Sequence, residues 1–281
     1  MYYGKKYLRF WWALIPSERS ILNCNKAIIL AAGSGTRLGI SNLGKPKCLQ
    51  VVGGKALVQW QIEVLEACGI ADITIATGFS QEALAIYGSR RVWNESYQTT
   101  NMVYSLYRCI EHVTSGPLLI TYGDVLVDPR SIRLLVESNA DFAILSDANF
   151  LSYWSERNSD PISDLETFEL FEEEYVLTLG GSPNNLNEIQ GQYMGLTYVS
   201  KLGFEILKKL LKSACSGKTL NNRALSNAYM TDLLQELINS GLRVKSVPNE
   251  LYWIEIDTAR DLEDTVIGKR IRQIEKSLEF R

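Results

Sequence analysis

The sequence has one histidine, no C-x-x-C pair, no Cys/His cluster and no apolar run long enough to cross a bilayer. Each shortage excludes something. Five widely spaced cysteines (Cys24, Cys48, Cys68, Cys109 and Cys215) offer neither a zinc site nor a disulfide framework, and they fit a reducing compartment. The lone His112 falls in a predicted helix with nothing nearby to orient it as a base, so it is read as structural. Excess positive charge is missing too: the formal net charge is −3, which provides no general basic field for nucleic acid. These absences describe a cytoplasmic protein with no nucleic-acid partner and no firm membrane association. Assembly into a homo-oligomer is left open.

What remains suits a globular enzyme. The 281 residues are 46% apolar and 22% charged, enough to bury a core without staples. The first 25 residues stand apart. KKYLR followed by FWWALI could suggest a signal peptide, but the apolar stretch is short and no A-x-A-like site follows. Residues 1–25 are therefore read as a disordered extension, with a peripheral membrane contact or an interaction arm as alternatives. Residues 26–281 form the expected domain.

Along that domain, short apolar runs alternate with helical periodicity. Lys26 to Ala32, Asp72 to Thr77, Leu118 to Tyr122 and Asp141 to Leu145 have the character of buried strands. Gly54 to Cys68, Met102 to His112 and Ile132 to Ser138 show the helical period, and Ser80 is placed as the N-cap of a short helix ending at Tyr87. This alternation predicts an α/β fold with a mostly parallel sheet flanked by helices. Residues 147–200 are turn-rich, with strand-like pieces at Phe168 to Phe171, Tyr175 to Leu179 and Leu196 to Val199. They predict a small antiparallel β insertion over the mouth of the sheet. Helices at 203–213, 231–240 and 258–279 and strands at Arg243 to Val247 and Tyr252 to Ile256 complete the expectation.

The first strand runs directly into LAAGSGTRLG, from Leu30 to Gly39. Gly33 and Gly35 permit a tight turn that brings N–H groups to an anion, and Arg37 and Lys47 add two cations suited to phosphate oxygens. A Rossmann dinucleotide loop fits poorly because the third glycine comes late and Glu63 lies in a helix. A P-loop fails because Pro46 stands where Ser or Thr is required. A purely structural turn explains the glycines but not the cations.

The whole segment resembles the pattern L-A-A-G-x-G-x-R-[LM] followed by P-K. That pattern belongs to nucleotidyltransferases that activate sugars, cholines and related small molecules. Arg37 and Lys47 stand ten residues apart, as in that family. Gly39-Ile40-Ser41 departs from the Pro-Leu-Thr run of many members, which argues somewhat against a sugar substrate. The resemblance implies a Rossmann-like (GT-A-like) fold with Arg37 and Lys47 as catalytic cations. It implies nucleotide contacts from Leu30, Ala31, Ala32, Gly33, Ser34, Gly35, Thr77, Gly78, Tyr122 and Gly123. It also implies Mg²⁺ held by Asp124 and Asp257. Both aspartates follow predicted strands, which would place them at the carboxyl edge of a parallel sheet, where ligands bind. The plainer alternatives are a turn residue for Asp124 and a helix cap for Asp257, although Thr258 and Asp261 could form the cap and leave Asp257 free.

A narrower resemblance covers about residues 26–265. YQTTNMVYSL, from Tyr97 through Asn101, is similar to a segment of phosphocholine cytidylyltransferases. Trp154 to Glu166, QGQYMGL around Gln192 and Tyr193, and Met230 to Gln235 resemble a subgroup acting on 2-aminoethylphosphonate or, for capsule decoration, glutamine phosphate. It implies CTP as donor and a small phosphonate or phosphomonoester as acceptor. An anionic phosphate oxygen needs no general base, so cations and metal are expected to dominate the chemistry. The acceptor's ammonium end suits acids and aromatic faces, making Asp160, Asp164, Glu166, Trp154, Tyr193 and Trp253 candidates for it; Arg157 is the candidate for the phosphonate, and Asn101 and Gln192 are further acceptor contacts that the resemblance implies. The competing reading makes Arg157, Asp160 and Asp164 a structural ion-pair cluster and the two tryptophans core. A sugar-1-phosphate nucleotidyltransferase using another nucleotide is the alternative enzyme, and a nucleotide sensor without turnover the alternative class.

Overall fold

A computed structural model of the chain describes residues 22–35, 44–157, 165–263 and 265–279. Its strands are β1 (Lys26–Leu30), β2 (Val51–Val52), β3 (Lys55–Ala56), β4 (Asp72–Thr77), β5 (Arg90–Trp93), β6 (Leu118–Tyr122), β7 (Val125–Val127), β8 (Phe142–Asp147), β9 (Phe168–Phe171), β10 (Tyr175–Leu179), β11 (Gln192–Val199), β12 (Val244–Asn249) and β13 (Trp253–Glu255). Its helices are α1 (Leu57–Ala67), α2 (Met102–Ile110), α3 (Pro129–Val136), α4 (Phe150–Arg157), α5 (Lys201–Cys215), α6 (Met230–Asn239), α7 (Ala259–Glu263) and α8 (Thr265–Glu279).

Nine strands form one sheet in the order β5-β4-β1-β6-β11-β8-β12-β10-β9. β5, β4, β1 and β6 run parallel, as do β8 and β12. β11 enters antiparallel between β6 and β8, and β10 and β9 continue antiparallel beyond β12. The antiparallel strands expected over the mouth of the sheet are thus present, but they belong to the sheet itself, β11 in its interior and β10 and β9 at one edge. Pairing within the one sheet satisfies their backbone groups.

Both faces of the sheet are covered, and side chains alternate between them as strand geometry requires. Ala27 and Ile29 of β1, with Ile73 and Ile75 of β4, face one core. Leu57, Trp60, Val64 and Leu65 of α1 close it, together with apolar residues of α3 and α8. Ile28, Ala76 and Ile120 face the opposite core, roofed by α2, α5 and α6. The crossovers through α1 and α2 therefore lie on opposite faces and diverge at β1. That divergence opens a crevice at the carboxyl ends of β1 and β6.

Local departures from expectation have local causes. Ser80 is left-handed (φ 46°) and makes no side-chain cap, and only a 3-10 turn follows at Gln81–Leu84. α7 and α8 cover the expected last helix, with residue 264 between them outside the described residues. α4, β5, β7 and the β2–β3 hairpin were not anticipated. They are short, and β5, with three exposed residues of four, lacks the apolar run of an interior strand.

Candidate active site

Three charged side chains meet at the crevice. Lys47 opens a 3-10 turn, Lys47–Leu49, directly after Pro46. Its Nζ donates to Asp124 Oδ2 at 2.6 Å and to Asp257 Oδ1 at 2.7 Å, across sequence separations of 77 and 210 residues. All three are mostly shielded, with side-chain exposures of 14%, 22% and 14%. Burial by itself would lower the pKa of the Lys47 ammonium. The charges and hydrogen bonds of the two aspartates outweigh that, and the pKa is raised.

Each aspartate is held by backbone. Asp124 lies in the turn between β6 and β7, with Gly123 donating its N–H to Leu30 O at 2.9 Å. A side chain at position 123 would meet Ala31 Cβ and Leu30 O at 2.9 Å, so only glycine lets the turn lie against β1. The carbonyl of Asp124 accepts from Ile256 N at 2.9 Å, and β7 pairs antiparallel with β13, joining the two aspartate-bearing segments. The Asp261 carboxylate accepts from the backbone N–H of Asp257 and of Thr258 and from Thr258 Oγ1. Asp261 therefore serves as the cap, and the Asp257 carboxylate is turned to Lys47.

The cleft beside this triad is walled on one side by Leu30, Ala31, Ala32 and Gly33, with Tyr122, Gly123 and Asp124 adjacent. The opposite wall is the segment leading into α2: Asn94, Tyr97, Thr100 and Asn101, then Met102 and Ser105. Asn94 is 1% exposed, donates to Thr100 Oγ1 and Ser105 Oγ at 2.9 Å each, and accepts from Ser96 N at 3.0 Å. It makes that wall rigid. Cys48 also lines the cleft, but burial pushes its thiol up to about 12, so it is a neutral wall atom rather than a nucleophile.

Several expected contacts lie elsewhere. Thr77 is fully buried, with its hydroxyl directed to Val92 O, and Gly78 packs against Ala32 O and the Tyr97 ring, so neither forms the cleft wall. Gln192 is 5% exposed, and its amide is spent on the Glu166 backbone and Gly191 O; it is a strap rather than a substrate contact. Tyr193 stands edge-on behind Tyr122, centroids 5.7 Å apart, with its hydroxyl on Thr197. Trp154 and Trp253 are 5% and 2% exposed in an aromatic cluster with Tyr153, and Trp253 Nε1 donates to a buried Asp147. Their bulk serves the core, not an ammonium group. Asn101 lines the cleft while its side chain caps α2. Ser34 and Gly35 continue from Gly33, whereas Arg37, Asp160, Asp164 and the side chain of Arg157 lie outside the described residues. His112 is exposed beyond the end of α2 and is not part of the cleft wall. Tyr97, Thr100, Met102 and Ser105 were marked in sequence only as members of YQTTNMVYSL, and Asn94 and Cys48 were not marked as site residues.

Two hard carboxylates around one cation form a donor set that suits magnesium, which takes the rest of its shell from water and phosphate. No cluster of three or more His, Cys, Asp or Glu occurs among the described residues, which sets a fully protein-enclosed metal apart from this arrangement.

Comparison with known proteins points to the same chemistry. Residues 27–175 match the MobA-like NTP transferase domain. The chain is 31% identical over 252 residues to the CTP:phosphoglutamine cytidylyltransferase of Campylobacter jejuni subsp. jejuni serotype O:2, covering 84% of this chain and 97% of that one. It is 44% identical over 95 residues to the choline-phosphate cytidylyltransferase of Streptococcus pneumoniae, 32% of this chain and 42% of the other. Among solved structures, the inositol-1-phosphate CTP transferase from T. maritima superposes with a TM-score of 0.70 at 18% identity, covering 90% and 97% of the two chains. The CTP:phosphocholine cytidylyltransferase from Streptococcus pneumoniae gives 0.67 at 24% identity, covering 88% and 98%. These two likenesses show the fold. The chain therefore belongs to the MobA-like NTP transferase family and is a nucleotidyltransferase.

Proposed function

We propose that this protein transfers CMP from CTP to a small phosphomonoester or phosphonate bearing an ammonium group, of the glutamine phosphate, phosphocholine or 2-aminoethylphosphonate type, and releases pyrophosphate. The observation that supports it best is the meeting of Lys47, Asp124 and Asp257 at the carboxyl ends of β1 and β6. The cytidylyltransferase relatives support CTP as donor and a phosphorylated acceptor.

Asp124 and Asp257 would hold Mg²⁺, which when bound offsets the negative charge of the triphosphate and of the departing pyrophosphate. The backbone of Ala31 to Gly35 receives the phosphates, and Lys47 with Arg37 offsets their charge. The acceptor's phosphoryl oxygen, already anionic near neutral pH because its second pKa is about 6, attacks the α-phosphorus. A new P–O bond forms there, the bond from the α-phosphorus to the β-phosphate oxygen breaks, and pyrophosphate leaves with the electron pair. No base is required, consistent with His112 lying off the cleft wall. The chain's contribution is positioning and charge neutralisation.

Pyrophosphate release across a panel tests this. CTP, UTP, dTTP and GTP are each paired with glutamine phosphate, phosphocholine, 2-aminoethylphosphonate and glucose 1-phosphate. CTP with an ammonium-bearing acceptor is the expected active pair. Turnover confined to glucose 1-phosphate with another nucleotide would replace this reading with a sugar-activating one.

A further inference from the structure

Asp124 hangs from a four-residue turn, and we propose that Gln61 is the positioning residue that sets this turn for cation binding. The inference rests on the reading of Asp124 as a metal ligand. Gln61 sits on the second turn of α1 and is 4% exposed. Its Nε2 donates to Tyr122 O at 2.7 Å and to Val125 O at 2.6 Å. Those carbonyls flank the Gly123-Asp124 pair on either side. Two acceptors can be met only by the NH₂ end of the amide, so the side-chain orientation is determined and both its hydrogens are used.

The other end of the same amide argues against a role in stability alone. Gln61 Oε1 is buried and has no hydrogen-bond partner among the described residues. Gln61 borders a small, mainly apolar cavity with Val64, Leu65, Leu119 and Leu196. An apolar side chain would suit those surroundings better, because an unmet buried acceptor is a cost to the fold. What the glutamine supplies in return is a pair of donors on the turn. Gly123 N on Leu30 O and Ile256 N on Asp124 O hold the turn at two other points. Gln61 completes the restraint from α1, the helix that follows the Lys47 turn. One side chain thereby couples the lysine-bearing and aspartate-bearing segments without touching substrate.

The test uses the full chain and α,β-methylene-CTP, whose binding is measured calorimetrically once in Mg²⁺ and once in EDTA. The ratio of the two affinities reports how far the protein's carboxylates engage the ion. Gln61→Met, close in volume and without donors, is expected to lower that ratio by about tenfold, toward the value for Asp124→Asn, while affinity in EDTA stays within about twofold. A merely structural glutamine would change both affinities together or neither. Gln61→Glu, which keeps the shape and as a neutral acid offers one O–H, is expected to fall between and serves if the Met variant does not fold. A wild-type ratio in a folded Gln61 variant, with Asp124→Asn lowered, overturns the positioning role alone. An unchanged ratio in Asp124→Asn overturns the metal reading, and the Gln61 inference with it.

Discussion

Lys47 bridges two carboxylates at 2.6 and 2.7 Å, the position between paired acids that a divalent ion also prefers. An ion held there, as proposed, would compete with the ammonium for the carboxylates in the nucleotide-free protein. Removing the ammonium in Lys47→Met should strengthen nucleotide-free Mn²⁺ binding on the order of tenfold, read from the EPR signal of free Mn²⁺. The same variant, and Asp124→Ala, should lose about 10²- to 10³-fold in turnover with near-native circular dichroism. Near-normal rates in either would remove the assigned roles. The pH behaviour follows from sign. The pKa of Lys47 is raised above the ordinary lysine value of 10.5, so its ion-pair contribution to stability is complete below that value and lost only as pH climbs through the raised one. Wild-type and Lys47→Met melting curves should thus stay a constant distance apart between about pH 6 and 9. Thiol labelling offers a separate check. Burial pushes Cys24 up to about 11 and Cys48, Cys68 and Cys109 to about 12, while Cys215 is exposed. A disulfide reagent should label one thiol quickly in the native protein, and Cys215→Ser should abolish that phase.

Among the elements, α7 and its cap decide how Asp257 is presented. The Asp261 carboxylate gathers Asp257 N, Thr258 N and Thr258 Oγ1. Asp261→Ala should cost about 1 kcal/mol as a lost cap and lower the melting temperature by about 2–4 °C. Turnover should fall by more than that destabilisation accounts for; a loss limited to the melting temperature would confine Asp261 to capping. How legible these elements were in the sequence depended on where each side chain's environment comes from. Asp72–Thr77 and Leu118–Tyr122 were bounded correctly because continuous apolar runs between polar ends mark interior parallel strands. Lys47, Asp124 and Asp257 could be named from motif, and their convergence is what the fold adds. Thr77, Gln192, Trp154 and Trp253 could not be assigned in advance, since whether a Trp or Gln faces a cleft or a core depends on partners distant in sequence. Tyr153 and Asp147 settle it for Trp253, and the Glu166 backbone settles it for Gln192. Asn94 carried no motif, because its value lies in bonds to Thr100 and Ser105 formed only when that loop folds back.

At the scale of the whole molecule, α8 returns the chain's end to its beginning. Ile267, Ile271 and Ile274 are buried in the core that α1 and α3 build, and Ile271 packs against Gly53. Deleting residues 265–279 should expose that core and leave a chain that precipitates or binds a hydrophobic dye. A soluble truncation with a cooperative melt would show that α8 is dispensable. The intact described domain should melt in a single calorimetric transition, since its nine-stranded sheet draws strands from both halves of the chain.

The pairing of β7 with β13 also bears on the timing of biosynthesis. On the ribosome, Lys47 and Asp124 emerge well before β13 is made. Asp257 is made long after Lys47 and Asp124, and the strand before it, β13, must then find a partner more than a hundred residues upstream. On the proposed reading of Asp257, a nascent chain that stops short of β13 should therefore be inert toward nucleotide chemistry.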